Sequence, residues 1–518
     1  MIVNEEENAD LTNKLFLNRK TILIFGLLIF IGLFVFFYCV HPIYIYDSDD
    51  WTYISYARQA LPNVKQWNPT KVLPETLMPL ISEIGVRFIY PITDDYISSL
   101  ACVFGLTISS IITIYVIIAL KRINDTFGLK TAVFYIIGGG YLLYHFLPFS
   151  VVETNNRFVF YGGNANCYFN YIIPGLFNVI CVLIFLREDI DHYKASKDNV
   201  IQSGCLILLI YLCINSNMFH SIILISLLCG ELLIEFMKSL KNKNKVINSF
   251  VTAVRSNVYD VFVILAWLVS VVFESRGARA QWAAGTTLKN LPVLHCFKLF
   301  LKSVKELNRV WLFSATIIIL VALLSYAFSK GKRTLCDEKY FGNIVKMFLA
   351  QIITITYLIL LCAKVSSEYI QNNTVMISWM IWTMLIVLFS LAYLISKWKY
   401  LNLLLPMALY LLIFNTVIDG RTYADNNVVW NYGVDTVKDI DDYIIEEIKK
   451  ADKGGLDYVE VKVPVTDSYY WPLDVSYAGD RIANTLFIHG MTKNRIHAVI
   501  VPDMAVNEKF GVGTATMP

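Results

Sequence analysis

"TILIFGLLIFIGLFVFFYCV", residues 21–40, runs for twenty positions without a charged side chain. A helix needs roughly twenty apolar residues to cross the hydrocarbon core of a bilayer, and this run supplies them. About twenty mostly polar residues precede it and no small-residue cleavage site follows, so it reads as a signal anchor rather than a cleaved leader. Further runs of the same character stand at about 97–120, 130–150, 171–187, 199–215, 217–237, 258–274, 310–329, 346–364, 374–396 and 400–418. Eleven spans are therefore expected, in an all-α polytopic membrane protein. Composition agrees: 56% of the chain is apolar and only 16% charged, against about 25% charged in soluble domains.

Charge placement gives an expected orientation. The segment "KSLKNKNKVINSFVTAVR" (238–255) carries five basic residues and no acid, and "KR" at 121–122, "KGKR" at 330–333 and "KWK" at 397–399 fall on the same side if the helices alternate. Basic loops stay in the cytoplasm. Residues 1–19 are then cytoplasmic, 20–418 form the membrane domain, and the loops 42–96 and 275–309 lie outside. From Asp419 onward sixteen acids face ten basic residues, the balance of a soluble module. "VDTVKDIDDYIIEEIKKA" (434–451) has a helical period and "YVEVKV" (458–463) an alternating one, so 419–518 is expected to be a small extracytoplasmic α/β module. The net charge of +3 makes no case for nucleic acid, and the ten cysteines, mostly within apolar runs, show neither metal-ligand spacing nor a disulfide framework.

The first outer loop opens with "YDSDDWTYISYARQ" (46–59), where Asp47, Asp49 and Asp50 crowd the mouth of the first span. Ser48 is placed to cap a helix reaching about Ala60, and acids in a first turn complement the helix dipole. The other reading is chemical. Transfer of a sugar from a polyprenyl phosphate needs a base for the acceptor hydroxyl, and a positioned carboxylate is one. A second acid would orient that base or hold a divalent cation such as Mg2+ or Mn2+. Asp49 is the first choice for the base, with Asp47 and Asp50 beside it. "WNPTKVLPETLMPLISEIGVRFIYP" (67–91) starts as a Pro-rich extended piece and then spaces Leu77, Leu80, Ile81, Ile84 and Phe88 as an amphipathic helix lying on the bilayer.

A leaving phosphate needs cations, which are depleted outside. Arg276 and Arg279 in "ESRGARAQW" (274–282), Lys298 in "FKLFLKSVKEL" (297–307), Arg58, Arg157 and Arg421 are the candidates on that side. Lys302 and Lys305 share a helical face with Lys298, a pattern that also suits anionic headgroups. Trp51, Trp67, Asn68, Glu75, Tyr161 and Asn164 are candidates for contacting sugar or acceptor, because Asn, Tyr and Trp hydrogen-bond to and stack on sugars. "GGG" at 138–140 reads as close helix packing. Glu231 and Glu235 read as snorkelling acids, and His41, at the lip beside the acids, as an interfacial residue with a supporting role in the acidic turn as the alternative.

An acidic first outer loop directly after helix one, followed by surface helices, resembles the GT-C superfamily of polytopic glycosyltransferases. The nearest likeness is to bacterial glucosyltransferases that decorate surface polysaccharides. The residues carrying it are Asp49, Asp50 and Trp51, then Trp67, Asn68, Pro74 and Glu75. The resemblance implies an inverting hexosyltransferase of the bacterial cytoplasmic membrane. It would use a polyprenyl-phosphate sugar as donor and a cell-envelope glycan as acceptor, and it leaves metal dependence open. It also implies partner proteins that synthesise the donor and flip it across the membrane. A lipid-linked oligosaccharide flippase and a polysaccharide polymerase or ligase are the alternatives. The first would need repeat symmetry, broken helices and midplane polar residues, of which the sequence shows little.

Overall fold

The computed structural model describes residues 19–56, 67–149, 158–186, 200–242, 245–277, 291–331, 333–398, 400–401, 405–411, 432–466, 471 and 477–513. In chain order the helices are α1 (Lys20–Val40), α2 (Ser48–Tyr53), α3 (Val72–Ile84), α4 (Tyr90–Thr93), α5 (Tyr96–Phe127), α6 (Thr131–Tyr144), α7 (Ala165–Phe185), α8 (Val200–Ile214) and α9 (Met218–Lys241). There follow α10 (Val246–Ser256), α11 (Val258–Arg276), α12 (Val293–Glu306), α13 (Arg309–Phe328), α14 (Leu335–Val365) and α15 (Asn373–Lys397). Eight of these, α1, α5, α7, α9, α11, α13, α14 and α15, are long and apolar enough to cross a membrane, and α6 and α8 are shorter apolar helices. The chain is an all-α membrane protein through this region.

Burial separates core helices from lipid-facing ones. In its most apolar stretch α15 is 94% buried and α7 83%, whereas α1 is 17% and α11 and α13 are each 22% buried. All five are apolar around their circumference, so the poorly buried three have lipid as their solvent. Close approach depends on glycine where helices cross. A Cβ on Gly138 of α6 would stand 2.6 Å from Leu120 and 2.8 Å from the Phe25 ring, which explains the Gly138–Gly140 run as packing.

Helix ends depart from the expectations where polar groups intervene. The span expected at 130–150 stops at Tyr144, because the His145 ring Nδ1–H donates to the Tyr141 carbonyl at 2.7 Å. The His145 backbone N–H bonds to Leu142 instead. In the other direction, α14 starts at Leu335 rather than near 346. Thr334 and Asp337 form a capping box there, and Lys397 Nζ lies 2.5 Å from Asp337, so charged residues are accommodated in its first turns. Of the run expected at 400–418, residues 405–411 are described and helical. Glu231 and Glu235, read as snorkelling acids, are ion-paired to Lys346 at 2.8 Å and Lys238 at 3.4 Å.

Beyond residue 432 the pattern changes. Helix α16 (Val434–Lys453) leads to β1 (Tyr458–Val463), then α17 (Ala478–Ile488) and β2 (His497–Pro502). The two strands pair in parallel, Tyr458 opposite His497 and Val463 opposite Pro502. This is the connection a βαβ unit requires. Gly479 permits it: a Cβ there would fall 2.6 Å from the Ala498 carbonyl carbon, so α17 can lie directly on β2.

Candidate functional site

The three acids after α1 have three different environments. Asp47, not Ser48, is the N-cap of α2: its carboxylate accepts the Asp49 N–H at 2.7 Å. Asp50 reaches back to accept the N–H groups of Tyr46 and Asp47, each at 3.2 Å, completing a capping box. The helix ends at Tyr53 instead of near Ala60, and 57–66 lie outside the described residues. Asp50 is fully buried and accepts a third backbone N–H, from Asn166 at 2.5 Å. Burial, and then the neighbouring charge of Asp47, raise its carboxyl well above the ordinary range against those three bonds. Burial also raises Asp47, opposed by the Asp49 N–H and by an Asn164 side-chain bond.

Asp49 is the one left to solvent. Its side chain is 55% exposed, and Arg481 Nη1 stands 3.9 Å from its Oδ1. Arg481 belongs to α17, 432 residues further along the chain. It also donates to the Ser48 carbonyl at 3.1 Å and lies over the Tyr477 ring. A cation and a carboxylate thus meet at the surface above a turn whose other acids are fixed by backbone bonds.

Loop 158–164 forms the second wall. The Tyr46 hydroxyl donates to the Gly163 carbonyl. Asn164 accepts the Cys167 N–H at 2.7 Å, capping the start of α7. Gly162 is required by this approach, since a Cβ there would meet the Tyr168 ring at 2.9 Å. Tyr161 is buried against His41, with ring centroids 5.5 Å apart.

The third wall is the unit beginning at α16. Thr485 Oγ1 donates to the Trp51 carbonyl at 2.6 Å. The Ser82 hydroxyl lies 2.6 Å from the Ile54 carbonyl and 2.8 Å from that of Pro79, its single proton committed to them, so the more distant His489 Nε2, at 3.4 Å, is the donor of that pair. His489 Nδ1 then accepts from the Tyr96 hydroxyl at 2.7 Å. Burial, first among its causes, pushes the His489 imidazole down to about 4. Lys438 of α16 bridges Asp95 at 2.9 Å and Asp442 at 2.8 Å. Burial alone would lower its ammonium, but the bonds to Asp442 and Asp95 outweigh it and raise it. Asp441 is buried, bonded to Trp471 Nε1 at 3.3 Å, and held above the ordinary carboxylate range by burial, then by the charges of Asp442 and Asp50.

Other expected residues fall elsewhere. The Trp51 ring is buried and stacked on Tyr96, with centroids 6.3 Å apart. It packs α2 against α5 and offers no free face to a sugar. Trp67 packs edge-on to Phe273. Asn68 turns the chain by accepting from the Thr70 N–H at 3.0 Å. The segment after it is helical from Val72, with Pro74 in the first turn, rather than extended, and Glu75 is buried in that turn. Arg276 and Lys298 are exposed on α11 and α12. Arg58, Arg157, Arg279 and Arg421 lie outside the described residues. Among the described residues no three His, Cys, Asp or Glu side chains are placed to hold a metal ion, and the Asp50 oxygens are occupied by backbone N–H groups. A cation there would have to be held by Asp49 and Asp47, with Asp50 committed to the backbone.

Arg481, Thr485, His489 and Asp441 were not among the expected site residues. "AGDRIANTLFI" (478–488) reads as one more amphipathic helix, and nothing local ties it to residues 47–51. No protein-family model, curated protein or solved structure matches this chain.

Proposed function

We propose that this protein is a membrane glycosyltransferase that moves a sugar from a polyprenyl-phosphate donor to a glycan acceptor at the outer surface of a bacterial cytoplasmic membrane. The proposal includes eleven crossings, a cytoplasmic N-terminus, and an outer soluble module made of the residues after 419. The observation that carries it is the pairing of the exposed Asp49 carboxylate with Arg481, on a turn whose neighbouring acids are locked.

In this reading Asp49 accepts the proton of the acceptor hydroxyl as its oxygen attacks the anomeric carbon. The bond from that carbon to the phosphate oxygen breaks, and the polyprenyl phosphate leaves with the electron pair, inverting the centre. Arg481, 3.9 Å from that carboxylate, offers a forked donor to the phosphate. Asp47 and Asp50 fix the turn, and burial keeps Asp50 from competing as an ionised base.

Lipid access is consistent with the apolar stripe beside the site. Leu80, Ile84, Phe88 and Ile92 recur every fourth residue from α3 to α4, and all are exposed. Met78, Pro79 and Ser82 on the other side of α3 are buried. Such a helix lies in the bilayer interface, where a polyprenyl chain would enter.

The test is sugar transfer in membranes supplied with polyprenyl-phosphate sugars, comparing wild type with Asp49→Asn and Arg481→Gln at matched accumulation. Loss of transfer in both variants supports the reading. Full activity in Asp49→Asn removes the base, and a wild type that transfers nothing from any such donor removes the reaction.

A further inference from the structure

Helix α10, between the long helices α9 and α11, presents three distinct sides. Ser249 and Ala253, one turn apart, are buried where it packs on α9. Asn248, Thr252 and Arg255 form a polar, exposed side. Between them Val246, Ile247, Phe250 and Val251 are all exposed, Ile247 to 75% and Phe250 to 61%. An isolated soluble helix would not leave two such side chains in water.

The charges from 238 to 259 are of one sign, and the acid just before them, Glu235, is paired with Lys238 at 3.4 Å. Lys238 and Lys241 close α9, Lys245 precedes α10 and Arg255 ends it, all exposed. No acid occurs from 238 to 259. The face also stands at a definite place in the bundle. Helix α9 starts beside the 215–217 turn, where the Ser216 carbonyl accepts the Lys71 N–H at 2.9 Å at the foot of α3. It ends at Lys241. α10 is therefore at the opposite end of α9 from the first loop and its acidic turn.

We infer that α10 is a docking helix for the anionic phospholipid surface on the side of the membrane opposite the acidic turn. Its apolar side enters the acyl boundary, while Lys241, Lys245 and Arg255 meet headgroup phosphates. Apolar area and basic flanks together are what an interfacial helix needs, and Met237 near the end of α9 and Val258 and Phe262 at the start of α11 are exposed as well. The inference does not depend on the reaction proposed above.

The experiment uses the full-length protein in nanodiscs of phosphatidylcholine alone or mixed with phosphatidylglycerol, reading amide hydrogen exchange across 246–256. Exchange is expected to slow roughly tenfold in the anionic discs, since each basic residue near such a surface contributes. Ile247→Glu with Phe250→Glu should abolish the protection in both discs. Because that pair of changes can also disturb folding, Lys241→Gln with Lys245→Gln and Arg255→Gln provides a milder arm. It leaves the apolar side intact and should erase only the difference between the two lipids. Equal exchange of the wild type in both discs overturns the inference. Protection that appears only when two copies share a disc also overturns it, and assigns the face to a second copy of this chain.

Discussion

Asp50 and Asp337 occupy the same place in the same local motif, the third helical residue of a capping box, and both side chains are buried. Asp337 is met by the Tyr393 hydroxyl, by Thr334, and by Lys397 at 2.5 Å. Asp50 is met by three backbone N–H groups and, among the described residues, by no cation. One corner is neutralised within itself and serves to tie α14 to α15. The other is left acidic, shares its turn with an exposed carboxylate, and receives its cation from a helix more than four hundred residues away. The motif is a structural device in both places. What surrounds it distinguishes a staple from a candidate reaction site.

The largest expected difference between the two corners is in activity. Asp49→Asn should lower sugar transfer by about 100-fold or more, the usual contribution of a general base, with melting temperature unchanged because Asp49 is exposed. Asp337→Asn should leave transfer per folded molecule at the wild-type rate. Equal losses in both variants, measured in the same membranes, would erase the distinction.

Stability should not divide the two corners as activity does. Asp337→Ala strands Lys397, a quarter of whose side chain is exposed, and should cost roughly 2 to 3 kcal/mol, below the range for breaking a fully buried pair. Asp50→Ala strands three backbone N–H groups without a charge among them and should cost about 3 kcal/mol, roughly 1 kcal/mol for each. Chemical denaturation in detergent checks both values. A cost for Asp50→Ala well below about 3 kcal/mol would mean that water takes over those N–H groups and that the turn is held by other contacts.

The fold was largely legible because it rests on periodicity and hydropathy. Ten of the eleven expected spans coincide with apolar helices, and the errors sit at polar ends such as His145 and Thr334–Asp337, where a side-chain bond decides the boundary. The acidic turn was legible as a cluster, but the separate fates of its members were not. Asp50 is distinguished from Asp49 by Asn166, and Asp49 by Arg481, both through contacts between distant segments that no local pattern encodes. Trp51 shows the same limit: its position beside the acids suggested a sugar platform, and its burial against Tyr96 is a tertiary fact.

The smallest expected effect concerns pH and again separates the corners. His489 seats the C-terminal unit against the α2 corner, facing Tyr96 of α5, Glu83 of α3, and Arg87 just beyond α3. Its pKa falls from an ordinary 6.5 to about 4 in the docked state, so the undocked state binds more protons between those values. Docking is therefore favoured above 6.5 and weakens as pH falls toward 4, by roughly 1 kcal/mol near pH 5.5. Asp50 works in the opposite sense, since its raised carboxyl favours the folded form as pH falls, so the variant comparison, not the wild-type profile alone, carries the result. His489→Gln keeps a donor and an acceptor but cannot take up a proton. Protease sensitivity of the C-terminal unit should rise on acidification in the wild type and rise less in this variant. Lys397 and Asp337 lie within the bundle at the far corner and should register no change over the same interval. Identical profiles for wild type and His489→Gln would place the pH response in the carboxylates and leave the α2 corner no more sensitive than its counterpart.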